Sequence, residues 1–175
     1  MLRLTKKADY SLISLKHFAA VRARSGPNAS LSAKDLADNS GIPLPLLSKL
    51  LQKLGKSGFL VSEYGTNGGY RLARDASEIS ALQVIRAIDG PIVLANCFTS
   101  SNSCGHSDRC TIKKPLRRIH EGILRLLESI SIQDMLLDSE EGSPGLLGAG
   151  TLVTLKGTST GNASVSREST RNLNL

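Results

Sequence analysis

All three cysteines of the chain, Cys97, Cys104 and Cys110, fall within fourteen residues, with six and five residues between them, in a segment of small polar residues and glycine. Thiolates are soft ligands suited to zinc or to an iron–sulfur cluster, and an odd number of thiols does not pair off into disulfides. Either kind of centre ordinarily takes four ligands, so three thiolates require a further donor from elsewhere. One loop disulfide with a spare thiol, or three unliganded cysteines, are the alternatives. Exposed free thiols are otherwise a liability.

Stepping from the thiols to their setting, 175 residues give one domain of ordinary size plus appendages. No apolar run reaches the roughly 18 residues of a membrane span. Charges appear within the first few residues, so the N-terminus does not read as a signal peptide, and a cytoplasmic, reducing location is expected. Net charge is +7, and residues 1–74 carry 12 Lys and Arg against 4 Asp and Glu, whereas residues 75–175 carry 10 against 11. A basic surplus confined to the N-terminal part is the electrostatic footprint of a nucleic-acid-binding module, although a membrane-contacting face gives the same arithmetic. Paired carboxylates, a nucleophile–base set and a phosphate-binding loop are all missing from the sequence, which argues against an enzyme.

The elements that position these groups follow from periodicity. Leu12, Leu15, Ala19 and Ala20, with Ile13, Phe18 and Val21, predict a helix from Ala8 to about Arg24, stopped by Gly26-Pro27. Ser32-Ala33-Lys34-Asp35 reads as a capping box opening a short helix to Ser40, and Gly41 breaks it. A third helix is predicted over residues 44–57, with Leu47, Leu50, Leu51 and Leu54 inward and Ser48, Lys49, Gln52, Lys53 and Lys56 on the remaining surface. This is a helix-turn-helix pattern, whose second helix enters the major groove. Residues 58–64 and 70–72 around Asn67-Gly68 predict a hairpin, hence a winged helix whose glycine-rich tip can approach a phosphate backbone closely. Arg71 and Arg74 fall near its base.

A further helix is predicted over residues 81–88, then an apolar connector from Ile92 to Ala95 leading to the cysteines. Beyond them, Pro115 fits the first turn of a long helix to about Ile130, with Leu116, Ile119, Ile123, Leu126 and Ile130 forming an a/d seam. Either it lines the chain's own core or it meets its twin in a homodimer, the arrangement that matches twofold DNA sites. Ser131 looks like the cap of a last turn or two through Leu137. The fold class is thus mainly α with a small β-hairpin. Residues 1–90 form the winged helix-turn-helix domain, 91–112 the cysteine loop, 113–138 the dimerisation helix, and 139–175 a tail expected to be disordered, with 6 Gly, 6 Ser and 5 Thr and no aromatic residue.

This order of parts resembles the IscR/NsrR-type family of iron–sulfur transcription regulators. The likeness is carried by Leu2-Arg3-Leu4-Thr5 with Asp9-Tyr10, Gly41-Ile42-Pro43, the wing Gly68-Gly69-Tyr70-Arg71-Leu72, Ala81-Leu82-Gln83-Val84-Ile85 and the three cysteines, over residues 1 to about 138. Asp89-Gly90-Pro91-Ile92 ahead of the first cysteine looks most like the proteobacterial regulators of the Suf cluster-assembly operon. The resemblance implies a homodimeric winged-helix repressor or activator binding double-stranded operator DNA, with Cys97, Cys104 and Cys110 holding a 2Fe–2S or 4Fe–4S cluster. Isc-type members carry a ligating His three residues after the last Cys, where this chain has Lys113, a poor ligand. Asp9 matches the carboxylate that nitric-oxide-sensing members bring from the partner's first helix, with His106 next and His120 expected at the surface. Ser48 and Lys49 sit where related regulators choose bases; Lys49, Lys53 and Arg71 are expected mainly to hold phosphates, and Ser48 and Gln52 to touch base edges. Tyr64 replaces the Arg that commonly precedes the wing glycines. A structural zinc site without sensing, or an electron-transfer or catalytic iron–sulfur protein, are the rival readings.

Overall fold

The computed structural model describes residues 4–65, 68–95, 98 and 109–140. Along the chain run α1 (Lys6–Ser25), α2 (Ala33–Ser40), α3 (Leu44–Lys56), β1 (Leu60–Glu63), β2 (Gly69–Leu72), α4 (Ala81–Asp89), α5 (Lys113–Ser129) and α6 (Ile132–Glu140). A single 3-10 turn, Ala76–Glu78, sits between β2 and α4.

Helix starts are set by short polar side chains that take orphaned backbone N–H groups. Thr5 Oγ1 accepts from the Ala8 N–H at 3.2 Å and begins α1 two residues earlier than its apolar pattern predicts. Ser80 and Gln83 form a full capping box on α4. At α2 the expected box is incomplete: Ser32 Oγ accepts from the Asp35 N–H, but the Asp35 carboxylate takes the Ser32 hydroxyl. Ser131 and Asp134 complete both halves at α6, where Ser131 N–H donates to Asp134 Oδ2 at 2.8 Å.

The core gathers α1, α2, α3, the hairpin and α4. From α3 come Leu47, Leu50, Leu51 and Leu54, all buried, each contributing about 2 kcal/mol through removal from water. α1 departs from its apolar pattern: Ser11 and Ser14 are fully buried beside Leu15 and Phe18, while Leu12, Ile13 and Ala20 are half-buried at the edge. The two hydroxyls donate to the carbonyls of Lys7 and Tyr10, at 2.7 and 2.6 Å, so burial leaves neither unsatisfied. Small side chains there let neighbouring helices approach closely.

β1 and β2 pair antiparallel, with Leu60 opposite Leu72 and Ser62 opposite Tyr70. Leu31, just before α2, adds a bridge to Tyr70 through reciprocal bonds of 2.9 and 3.0 Å. That approach is so close that a Cβ on Gly69 would lie 2.6 Å from the Leu31 carbonyl oxygen, and one on Gly68 would lie 2.8 Å from the Glu63 oxygen. The wing glycines therefore have an internal reason to be there, apart from any DNA.

α6 runs to Glu140 and buries Ile132 and Leu136 in the same core, against α1. Ile132 N–H donates to the Ile79 carbonyl and Ala81 N–H to the Ile130 carbonyl, each at 2.9 Å, so α6 returns beside the start of α4. α5 is different, for none of its residues is buried. Among the described residues no helix is long and apolar enough to cross a membrane.

Candidate nucleic-acid interface and metal centre

The leucines of α3 face the core, and this leaves Lys49, Gln52 and Lys56 exposed and Ser48 half-buried. α2 precedes it through Gly41, whose left-handed φ of +67° makes the sharp turn, and through Ile42, which is buried and fixes the angle between the helices. The last half of α3 and the hairpin enclose an open cleft of about 730 Å³, lined by Gln52, Lys56, Ser62, Tyr64 and Tyr70 among others. Tyr64 is 96 % exposed. A phenol held out in water at the wing carries its ring and hydroxyl free for another surface.

Among the groups expected to meet DNA, Gln52 and Tyr64 line this one cleft. Lys49 stands exposed on the same helix. Two of the expected cations also bond within the protein. Lys53 Nζ donates to the Ile88 carbonyl at 2.7 Å, at the C-terminal end of α4. Arg71 Nε pairs with Glu63 Oε1 at 2.7 Å across the hairpin, both side chains about a third exposed. Arg74 is also built into the fold: its guanidinium lies 5.5 Å from the Phe59 ring centroid and bonds Gln83 Oε1 at 2.9 Å. Lys56, Ser62 and Tyr70 are cleft residues outside the predicted contact set. Lys56 was legible as the residue one turn after Gln52, whereas Ser62 and Tyr70 required the strand register.

Of the expected metal ligands, Cys97 and Cys104, like His106, lie outside the described residues. Cys110 is a half-buried free thiol just before α5. Asp9 is exposed on the first turn of α1, and its carboxylate makes no hydrogen bond or ion pair among the described residues. Its place near the positive end of a helix is itself favourable for an anion. His120, expected at the surface, is half-buried: its ring stacks on Phe98, the residue after Cys97, with centroids 5.3 Å apart and planes 22° from parallel. Its Nδ1 is buried without a hydrogen-bond partner. Among the described residues no three His, Cys, Asp or Glu side chains converge on a point. Of the donors within the described residues, the Cys110 thiol and the exposed Asp9 carboxylate, which has no partner among those residues, suit an iron–sulfur group.

Comparison with known proteins bears on this arrangement. Residues 4–138 match the Rrf2 family, described as an iron-dependent transcriptional regulator. A helix-turn-helix-type transcriptional regulator of Rhodobacter capsulatus, described as rrf2-like, is 32% identical over 138 residues, covering 76% of this chain and 91% of its own. The transcriptional regulator IscR of Photorhabdus laumondii is 32% identical over 139 residues, covering 79% and 82%. Among solved structures, the T. potens IscR superposes with a TM-score of 0.60 at 25% identity, covering 82% of this chain and 94% of that one. Together with the winged helix already described, these matches make the chain a DNA-binding transcriptional regulator, not an enzyme, and a member of the Rrf2 family.

Proposed function

We propose that this regulator senses iron–sulfur cluster status, or oxidative and nitrosative stress, and controls genes of iron–sulfur cluster assembly. The observation that carries the reading is the placement of three cysteines between α4 and α5, with Cys110 unpaired. Cys97, Cys104 and Cys110 hold the cluster, and Asp9 from the partner subunit's α1 supplies the remaining donor. A cluster, when bound, supplies a group whose presence depends on iron supply and on oxidants.

The chain's own residues do the rest. Ser48, Lys49 and Gln52 present the outer face of α3 to the major groove, with Lys49 neutralising phosphate and Ser48 and Gln52 meeting base edges. Tyr64 extends from the wing, and Arg71 adds positive charge beside it. The apolar side of α5 joins two copies into a homodimer, which sets the spacing of the two α3 helices on an operator. Switching requires that the two cluster states favour different arrangements of those helices.

Protein purified without oxygen tests the reading directly, by its absorption spectrum, iron and sulfide content, and DNA affinity before and after iron removal. A brown protein whose DNA affinity changes on iron loss supports it, and Asp9→Ala then lowers cluster retention. Colourless protein containing zinc, with unchanged DNA binding, overturns it in favour of a structural metal site.

A further inference from the structure

Three parts of the molecule meet at the last turn of α4. The carbonyl of Ile88 accepts the Lys53 ammonium of α3 at 2.7 Å. Asp89 accepts twice from Thr5, from the hydroxyl at 2.6 Å and from the backbone N–H at 3.3 Å, and Thr5 is the N-cap of α1. Gly90, at φ +88°, then ends α4 and turns the chain away from it. The last carbonyls of a helix have no intrahelical partner and carry the negative end of its dipole, so an ammonium donated there is held by a charge-assisted bond.

We propose that this turn is a positioning junction, in which Asp89 and Lys53 carry a displacement of the cysteine segment to the recognition helix. The proposal rests on the sensor reading above for its input, and on the hydrogen bonds for its output. Both inputs of that reading arrive here. The cysteine segment pulls through Gly90, and Asp9, one helical turn after Thr5, pulls through α1. The output is α3: a turn that moves its Ile88 carbonyl away releases the Lys53 ammonium and frees α3 to shift against α4. Space for such a movement exists, because an apolar groove of about 490 Å³, lined by Leu4, Thr5, Ile85, Asp89, Ile92 and Leu127 among others, flanks the turn. Lys53, although exposed, is thus held by the end of α4 and is not chiefly a phosphate contact.

The full-length protein is tested against a duplex that the wild type selects from a random-sequence pool. Iron-free and iron-loaded forms of wild type, Lys53→Met, Asp89→Asn and the double variant are compared over a range of salt. In the iron-free form each single substitution changes DNA affinity several-fold, by about 5-fold or more, and the double variant resembles a single one. The slope of log affinity on log salt stays as in the wild type, and Lys53→Arg, which keeps a donor, restores the wild-type affinity. Additive effects, or a slope reduced by about one unit as for a lost phosphate contact, overturn the junction. In iron-loaded protein the wild-type ratio between the two forms collapses in each single variant, and an undiminished ratio overturns the junction as well. A wild type indifferent to iron removes the sensor reading, while the iron-free comparison still decides the junction. Should Asp89→Asn fail to fold, Thr5→Val breaks the same contact from the other side.

Discussion

α3 and α5 are both helices with leucine or isoleucine at three- and four-residue spacing, yet they have opposite fates. α3 buries Leu47, Leu50, Leu51 and Leu54, whereas α5 buries nothing, and Ile119 and Leu126 are 53% and 60% exposed. Their surroundings explain the difference: α3 lies against α1, α2, α4 and the hairpin, while among the described residues α5 packs chiefly on α4, through half-buried residues such as Leu127. An apolar stripe specifies that a partner is needed. It does not specify whether that partner is in the same chain.

The comparison can be broken most directly by substitution. Leu51→Ala, at a fully buried site, is expected to lose about 2–5 kcal/mol and lower the Tm by about 5–15 °C, read by thermal unfolding. Ile119→Glu with Leu126→Glu should leave a diluted monomer within about 0.5 kcal/mol of wild type while abolishing the concentration dependence of its Tm and its dimer in sedimentation. If the α5 pair destabilised the monomer as Leu51→Ala does, α5 would be core. Gly69→Ala comes next, because its new Cβ meets Leu31 backbone atoms at 2.6 and 2.9 Å that cannot swing aside. A loss of about 1–3 kcal/mol is expected, and an unchanged urea midpoint would mean that the hairpin yields more easily than the helices.

The smallest effect sharpens the contrast between capped and uncapped helices. The Asp134 carboxyl of α6 is held below the usual carboxylate range by hydrogen bonds from the Ser131 hydroxyl and then from its backbone N–H. Its stabilisation is therefore complete above the unfolded-chain pKa and is lost as pH falls through the lower folded value. Asp134→Asn should cost about 0.5 kcal/mol at neutral pH, and the difference from wild type should shrink toward pH 3, as followed by urea unfolding across pH.

Much of this was legible in the chain. The leucine stripe of α3, Gly41, and the alternation flanking Asn67-Gly68 are local signals, and local signals fix local structure. Ser11 and Ser14 were not legible, because polarity masks the fact that a serine hydroxyl can satisfy itself on the preceding turn and then serve as core. Lys53 was read as a free cation of the outer face, but its partner carbonyl lies 35 residues away. Arg71 was placed near the base of the wing, and its partner, Glu63, is 8 residues away across the strand pair. The apolar pattern of α6 said it needed burial without naming α1, more than a hundred residues earlier, as the surface. For the metal centre, cysteine spacing spoke clearly about donor chemistry. It said nothing of the Phe98 stack that turns His120 from a surface residue into one with a buried, unpartnered nitrogen.

The two 2.9 Å bonds that join Ile79 to Ile132 and Ala81 to Ile130 tie the start of α6 to the start of α4, so the chain between Gly90 and Ser131 begins at one end of α4 and finishes at the other. Topologically that stretch is an insertion, and the body is assembled from chain on both sides of it. Cutting the protein after residue 90 would strip Ile132 and Leu136 from the core, so the DNA-binding body is not a separable N-terminal fragment. Replacing the insertion is another matter. A substitute segment that spans the same two ends of α4 and keeps the packing of Ile92 and Leu127 changes mainly the entropy of closing the loop, which grows slowly with length, by about 0.6 kcal/mol for each doubling. The architecture is therefore one in which the segment between α4 and α6 can be exchanged for a longer or shorter one while α3 and the hairpin stay as they are.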